Sequence, residues 1–311
     1  MARPELVRDP APEPPWPPEL PRPALAASGE LWTFTTRFDR DFRHGPWSIG
    51  EMARRPTGDL SRLAGRREEE RLEWLEALFL DLETGPHVRG GVSIHLAGCG
   101  RFVEGRLEVR QYAARSEEGE PALLAAVARD AAAAGDLVTY AGKSFDAPLL
   151  AERARACDVE LALPRRHVDL YRVAAKLLRR RFADARLVTL ERELLRYERP
   201  DELGGAAAAC AWREGGGEGG SAWLPAILRH NLLDVLALPA LAAELTLRLE
   251  CPQELLEQGR LDEREAGELA SALEEARREL ATAPPHRVEA ARRRVRRIER
   301  RLEALRAGEA S

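Results

Sequence analysis

The clearest alternation of apolar and polar positions in the chain runs from residue 91 to residue 112. In GVSIHLAGCGRFV (91–103) Val92, Ile94 and Leu96 alternate with Ser93, His95 and Ala97, and RLEVRQY (106–112) repeats the pattern after a glycine-containing turn. A side-chain period of two marks a strand with one face buried. The apolar run LFLDLETG (78–85) comes just before, so three strands in a meander are predicted. EGEPALLAAVARDAAAA (118–134) is a helix by its apolar spacing and alanine content. DLVTYA (136–141) reads as a buried strand, and HVDLY (167–171) as another short one. Between them FDAPLLAERARA starts a helix for which Asp146 is the expected cap, with Pro148 in the first turn. The order β-β-β-α-β-α-β, followed by helices, predicts the α/β class and a sheet mixing antiparallel with parallel strands.

The flanks follow other patterns. Nine prolines fall within residues 1 to 24, which excludes regular structure there and predicts a disordered arm over 1–29. LWTFTTRF (31–38) resembles a short strand, and the segment before LFLDLETG contains helical pieces. The glycine-rich stretch ending at Trp223 is loop-like, and LPAILRHNLLDVLALPALAAELTLRL after it is a helix. From Cys251 two helices are divided by ATAPPH (281–286). The domain layout is therefore an arm (1–29), an α/β domain (30–250, with its motif core at 77–245) and a helical hairpin (251–311). In the last helix Val288, Ala291, Val295, Ile298, Leu302 and Leu305 form an apolar seam suited to a partner helix, in this chain or in another protein. Its many arginines read as a solvated face, with a basic surface for nucleic acid as the alternative.

Charge narrows the classes little. The 48 basic residues nearly balance 52 acidic ones, for a formal net charge of −4, so any nucleic-acid contact must come from local patches. Cys99, Cys157, Cys210 and Cys251 lack the paired spacing of a zinc site and read as reduced thiols. No uninterrupted apolar run approaches about 18 residues, and the N-terminus lacks the apolar centre of a signal peptide, so a soluble, cytoplasmic protein with no membrane partner is expected.

The candidate chemistry lies in the acids. A strand places Asp81 and Glu83 on one face, roughly 6 to 7 Å apart, where they repel each other unless a cation sits between them. His230 and Asp234, four apart on a helix, share a face at about 5 to 6 Å. Each has a plain reading by itself: a strand-end acid caps the next helix, Asp146 caps its own, and His230 with Asp234 is an ion pair. Together they bring acids from three segments to the carboxyl ends of strands, where α/β sheets bind ligands. Four hard oxygen donors suit Mg²⁺ or Mn²⁺ and do not suit zinc.

These segments also resemble a known family. LFLDLETG is similar to the first motif of the DEDD exonucleases, in which Asp-x-Glu opens an RNase H-like fold; LVTYAGKSFDAPLL is similar to the second and LRHNLLDVLAL to the third. LVTLERELLRYERPDELGG and the His-Asn dipeptide before the last acid resemble the YprB-type branch in particular, over roughly residues 40 to 250. The resemblance implies an RNase H-like mixed β-sheet flanked by helices and a metal-dependent 3′–5′ exonuclease acting on DNA or RNA. It implies that Asp81, Glu83, Asp146 and Asp234 bind two Mg²⁺ or Mn²⁺ ions, and that His230 orients or deprotonates the attacking water. Thr84, Tyr140, Lys143 and Ser144, beside these motifs, are the expected substrate contacts. Phe145 is expected in the core, Asp169 in a turn or cap, and Arg179, Arg180 and Arg181 on a solvated face or near a phosphate backbone. The chain departs from the family pattern in three places. Ala141 stands where the related segment has Asn, only Thr84 precedes Gly85 where two threonines are usual, and His230 precedes Asp234 by four rather than five. The alternative these departures carry is a weak or inactive RNase H-like module that binds nucleic acid or serves as a scaffold.

Overall fold

The structure is a computed structural model that describes residues 16–55, 60, 74–88, 91–178, 182, 184–199 and 224–250, with single positions at 278, 281, 288, 292, 295, 296 and 299. The first half of the expected arm, the Arg179, Arg180 and Arg181 cluster, the glycine-rich loop and nearly all of the C-terminal hairpin lie outside the described residues. The chain divides into two compact units, Met1–Ala243 and Glu244–Ser311. The sheet and the acids belong to the first.

The strands are β1 (Ala24–Ser28), β2 (Leu31–Phe38), β3 (Arg43–His44), β4 (Trp47–Ser48), β5 (Ala77–Val88), β6 (Gly91–Val103), β7 (Arg106–Ala114), β8 (Asp136–Thr139) and β9 (Arg166–Asp169). The helices are α1 (Ile49–Arg54), α2 (Glu120–Ala132), α3 (Asp146–Ala156), α4 (Leu170–Leu178), α5 (Leu187–Leu190, running into a π turn over Glu191–Leu195) and α6 (Leu224–Glu250). Among the described residues seven strands make one sheet in the order β1-β2-β7-β6-β5-β8-β9, with β3 and β4 as a separate hairpin. The predicted meander is β5-β6-β7, and β5, β8 and β9 run parallel. This is the mixed sheet flanked by helices of an RNase H-like fold. Residues 24–28, assigned from sequence to the arm, instead pair with β2 as an exposed edge strand. Proline ends at Pro23, and the alanine-rich stretch after it leaves every backbone N–H free for a ladder.

Two packing relations place the site. Strand β5 pairs with β8 only over Ala77, Leu78 and Phe79, so Asp81 and Glu83 project beyond the end of β8. Leu78, Leu80 and Leu137 join Leu123, Leu124, Val127 and Leu150 of α2 and α3 in the core on one side of the sheet. The period of two turns Asp81 and Glu83 to the other side, where α6 lies.

Helix α6 sits close because two glycines make room for it. A Cβ on Gly98 would be 2.3 Å from the Asn231 side chain and 2.7 Å from that of Val235, and one on Gly100 would be 2.7 Å from Val235. Phe34, Leu96 and Ala113 of the sheet pack against Ile227 and Leu228. Its charged residues break every apolar run in the sequence, yet the helix is long and apolar enough by length and composition to cross a membrane, with a mean hydropathy of 1.3. The stretch is 89 % buried, as in a core helix of the same length and composition.

Candidate functional site

Strand β5 keeps regular register through Asp81↔Gly98 and Glu83↔Leu96, then shifts between Glu83 and Thr84. The bulge falls immediately after the second acid, and bulges re-aim side chains in this way. Across from it α6 presents His230 and Asp234 from consecutive turns. Ligand atoms of Glu83, His230 and Asp234 all lie within 4.8 Å of one another. The His230 Nε2 is 3.4 Å from Asp234 Oδ2 and 3.8 Å from Glu83 Oε1.

Asp146 arrives from the opposite direction, at the first position of α3. It is not the cap the sequence predicts: the capping position is Phe145, and no side chain caps that end. The Asp146 carboxylate packs instead over the preceding loop, so close that a Cβ on Gly142 would be 2.7 Å from its Oδ2.

The acids act on one another. Burial pushes the Asp81 carboxyl far above the usual range, and the charges of Asp234, Glu83 and Asp146 add to this. Glu83 is pushed up to about 8, by burial first and then by Asp234 and Asp146, with Arg199 pulling the other way. Asp146 is pushed up to about 7 by burial, against the pull of its own backbone N–H, with Asp169 and Asp234 contributing. A divalent cation relieves such crowding, and ligand atoms of Glu83, His230 and Asp234 are close enough together to hold one.

A second layer holds the acids in place. The Asn231 amide donates to the backbone carbonyl of Asp81 (3.2 Å) and to its Oδ2 (2.8 Å). Its oxygen accepts from Gln111 Nε2 (2.9 Å), which also donates to the Leu228 carbonyl (2.7 Å). Arg199 donates to Asp234 Oδ1 at 2.5 Å and to Glu191 Oε2 at 2.7 Å. Asp169 is buried, and its carboxylate accepts from the N–H groups of Ala141 (2.8 Å), Lys143 (3.2 Å) and Tyr171 (3.1 Å). It thereby organises the loop between β8 and α3, a wider turn-forming role than the sequence suggests.

The expected substrate contacts separate. Ser144 is exposed and Lys143 half-buried in that loop, while Thr84 sits half-buried in the β5 bulge. The Tyr140 hydroxyl is bonded to the Ala185 carbonyl and its ring lies edge-on to Tyr171. Phe145 is 70 % exposed beside Asp146, which corrects its expected place in the core. Gln111 carries no sequence signal of its own, and Arg199 carries one only as part of LVTLERELLRYERPDELGG. Asn231 is marked in the sequence only as part of the His-Asn dipeptide.

Comparison with known families places the same stretch of chain. The model RNase_H_2, described as the RNase_H superfamily, matches residues 78–246, a span that contains all four acids. No curated protein matches the chain.

Proposed function

Since the chain belongs to the RNase H superfamily, we propose that it is a metal-dependent nuclease hydrolysing phosphodiester bonds of DNA or RNA, and specifically a 3′–5′ exonuclease of the DEDD type using two Mg²⁺ or Mn²⁺ ions. The observation that carries this reading is the approach of Glu83 of β5 to His230 and Asp234 of α6, with ligand atoms within 4.8 Å of one another, beside Asp81 and Asp146; the carboxyls of Asp81, Glu83 and Asp146 are pushed up by burial and then by the neighbouring acids. Crowded carboxylates of this kind are costly to keep in a fold and cluster at sites that use them.

In this reading Asp81, Glu83, Asp146 and Asp234 hold the ions. Bound divalent metal would acidify water and neutralise the phosphate and the departing 3′ oxygen. His230 has its Nε2 among the carboxylates, in reach of a water held there, and takes the proton as the water oxygen bonds to phosphorus and the P–O3′ bond breaks. Phe145 offers a ring face for an unpaired base, and Lys143 a charge for a phosphate.

The test is degradation of end-labelled single-stranded DNA and RNA with Mn²⁺ or Mg²⁺, comparing the native chain with Asp81→Ala. Stepwise shortening from the 3′ end that requires metal and is lost in the variant supports the exonuclease. Retained binding with no cleavage of either polymer replaces it with the non-catalytic module.

A further inference from the structure

We infer that Arg199 is a positioning residue, the central member of a buried chain His44–Glu191–Arg199–Asp234 that aims one oxygen of Asp234 into the metal centre without drawing on the charge of that centre. The inference rests on the metal-centre reading above. The Arg199 side chain is 1 % exposed and Glu191 is fully buried. Its guanidinium holds Asp234 by Oδ1, which leaves Oδ2 as the oxygen facing His230. An aspartate on a helix surface, crowded by Glu83 and Asp146, would otherwise rotate away from them.

Charge explains why a second carboxylate is present. A lone arginine against Asp234 would cancel the charge a metal needs. Glu191 takes the Arg199 Nε at 2.7 Å, so the Arg199–Glu191 pair is formally neutral and leaves Asp81, Glu83, Asp146 and Asp234, once ionised around metal, four negative charges to match two divalent ions. Glu191 is fixed in turn by His44, whose Nε2 lies 2.9 Å from Oε1 and whose ring packs at a tilt against Tyr197, centroids 4.1 Å apart.

The backbone is shaped to bring these groups together. Glu191 opens the π turn of Glu191–Leu195, and Arg196 follows with φ 50°, in the left-handed region. A π turn followed by a left-handed arginine is an expensive local conformation, of the kind kept where it serves a site. Here it folds the chain back so that Arg199 meets Glu191. The β3–β4 hairpin closes over it, with Gly45 so near the Leu195 carbonyl that a Cβ would lie 2.2 Å away.

The test is Mn²⁺ binding to the full chain by calorimetry and by the EPR signal of free Mn²⁺, at temperatures well below each variant's melting point. Partners that orient a metal ligand typically contribute about 10- to 100-fold in affinity. Arg199→Gln is expected to lose that much, and Arg199→Lys to recover part of it, since an ammonium lacks the fork that spans two carboxylates. Glu191→Gln, which keeps the shape of the chain, should weaken Mn²⁺ as well, because the Arg199 charge then falls on Asp234 alone. It also stands in if the Arg199 variants do not fold. A native chain that binds Mn²⁺ alongside folded variants that bind it within about twofold would overturn the role of Arg199 and leave the metal centre standing. A native chain that binds no Mn²⁺ overturns both.

Discussion

Ala141 shows how one residue can carry a cost at the edge of a site. Its φ is 61°, in the left-handed region where a Cβ is strained and where Asn or Gly is at ease. The absent amide at this position therefore matters for backbone conformation as well as for any contact with substrate. Ala141→Asn is expected to stabilise the chain by about 1 kcal/mol, a rise of roughly 2–4 °C in melting temperature. An unchanged or lower melting temperature would mean that the loop, held by Asp169, imposes no strain. Phe145 is the opposite case, an apolar residue whose burial the fold does not use. Phe145→Ala should leave the melting temperature within about a degree and weaken binding of a single-stranded oligonucleotide, since stacking contributes about 1–3 kcal/mol per base. A loss of stability in place of binding would make it a packing residue after all.

At the level of elements, the separation of β6 and α6 is set by glycine. Gly98 is the register partner of Asp81, and its missing side chain is what admits Asn231, which grips Asp81. Asn231 cannot give way readily, being wholly buried and bonded on its other side to Gln111. Gly98→Ala is thus expected to cost about 1–3 kcal/mol of stability, the usual range for overpacking. It should weaken Mn²⁺ binding at the same time, because the helix that carries His230 and Asp234 is displaced from the strand that carries Asp81 and Glu83. Paired melting and calorimetry on the one variant check both, and a loss of stability with unaltered metal affinity would uncouple the packing from the site.

For the molecule as a whole, the acid cluster sets the pH dependence of stability. Asp81, Glu83 and Asp146 have folded-state pKa values above those of ordinary carboxyls, with Glu83 near 8 and Asp146 near 7. The folded chain therefore holds more protons than the unfolded one between about pH 4 and 8. Their contribution is fully present below about pH 4 and is lost as pH rises through 7 and 8. Without divalent metal, this group of acids makes the protein less stable at about pH 8.5 than at about pH 6. Metal requires the ionised carboxylates, so the thermal shift on adding Mn²⁺ should grow over the same interval. Melting curves at both pH values with and without Mn²⁺ measure this; a shift that shrinks toward high pH would place the metal elsewhere.

What the sequence determined by itself was everything governed by short-range periodicity. The alternation in GVSIHLAGCGRFV and RLEVRQY is legible because neighbouring side chains on a strand point to opposite faces, and the same rule set Asp81 and Glu83 on one face before any partner was known. The spacing of His230 and Asp234 is legible for the corresponding reason in a helix. Which of those faces meet depends on long-range packing. Asn231 reaches Asp81 across 150 residues and Arg199 reaches Asp234 across 35, separations over which no local pattern carries information. Phe145 and Asp146 depart from the sequence expectation because the helix-start signal is local, whereas the exposure of one and the crowding of the other depend on strands and a helix that arrive from elsewhere in the chain. Periodicity tells a residue which way to face along its own element; close packing of distant elements fixes what stands in front of it.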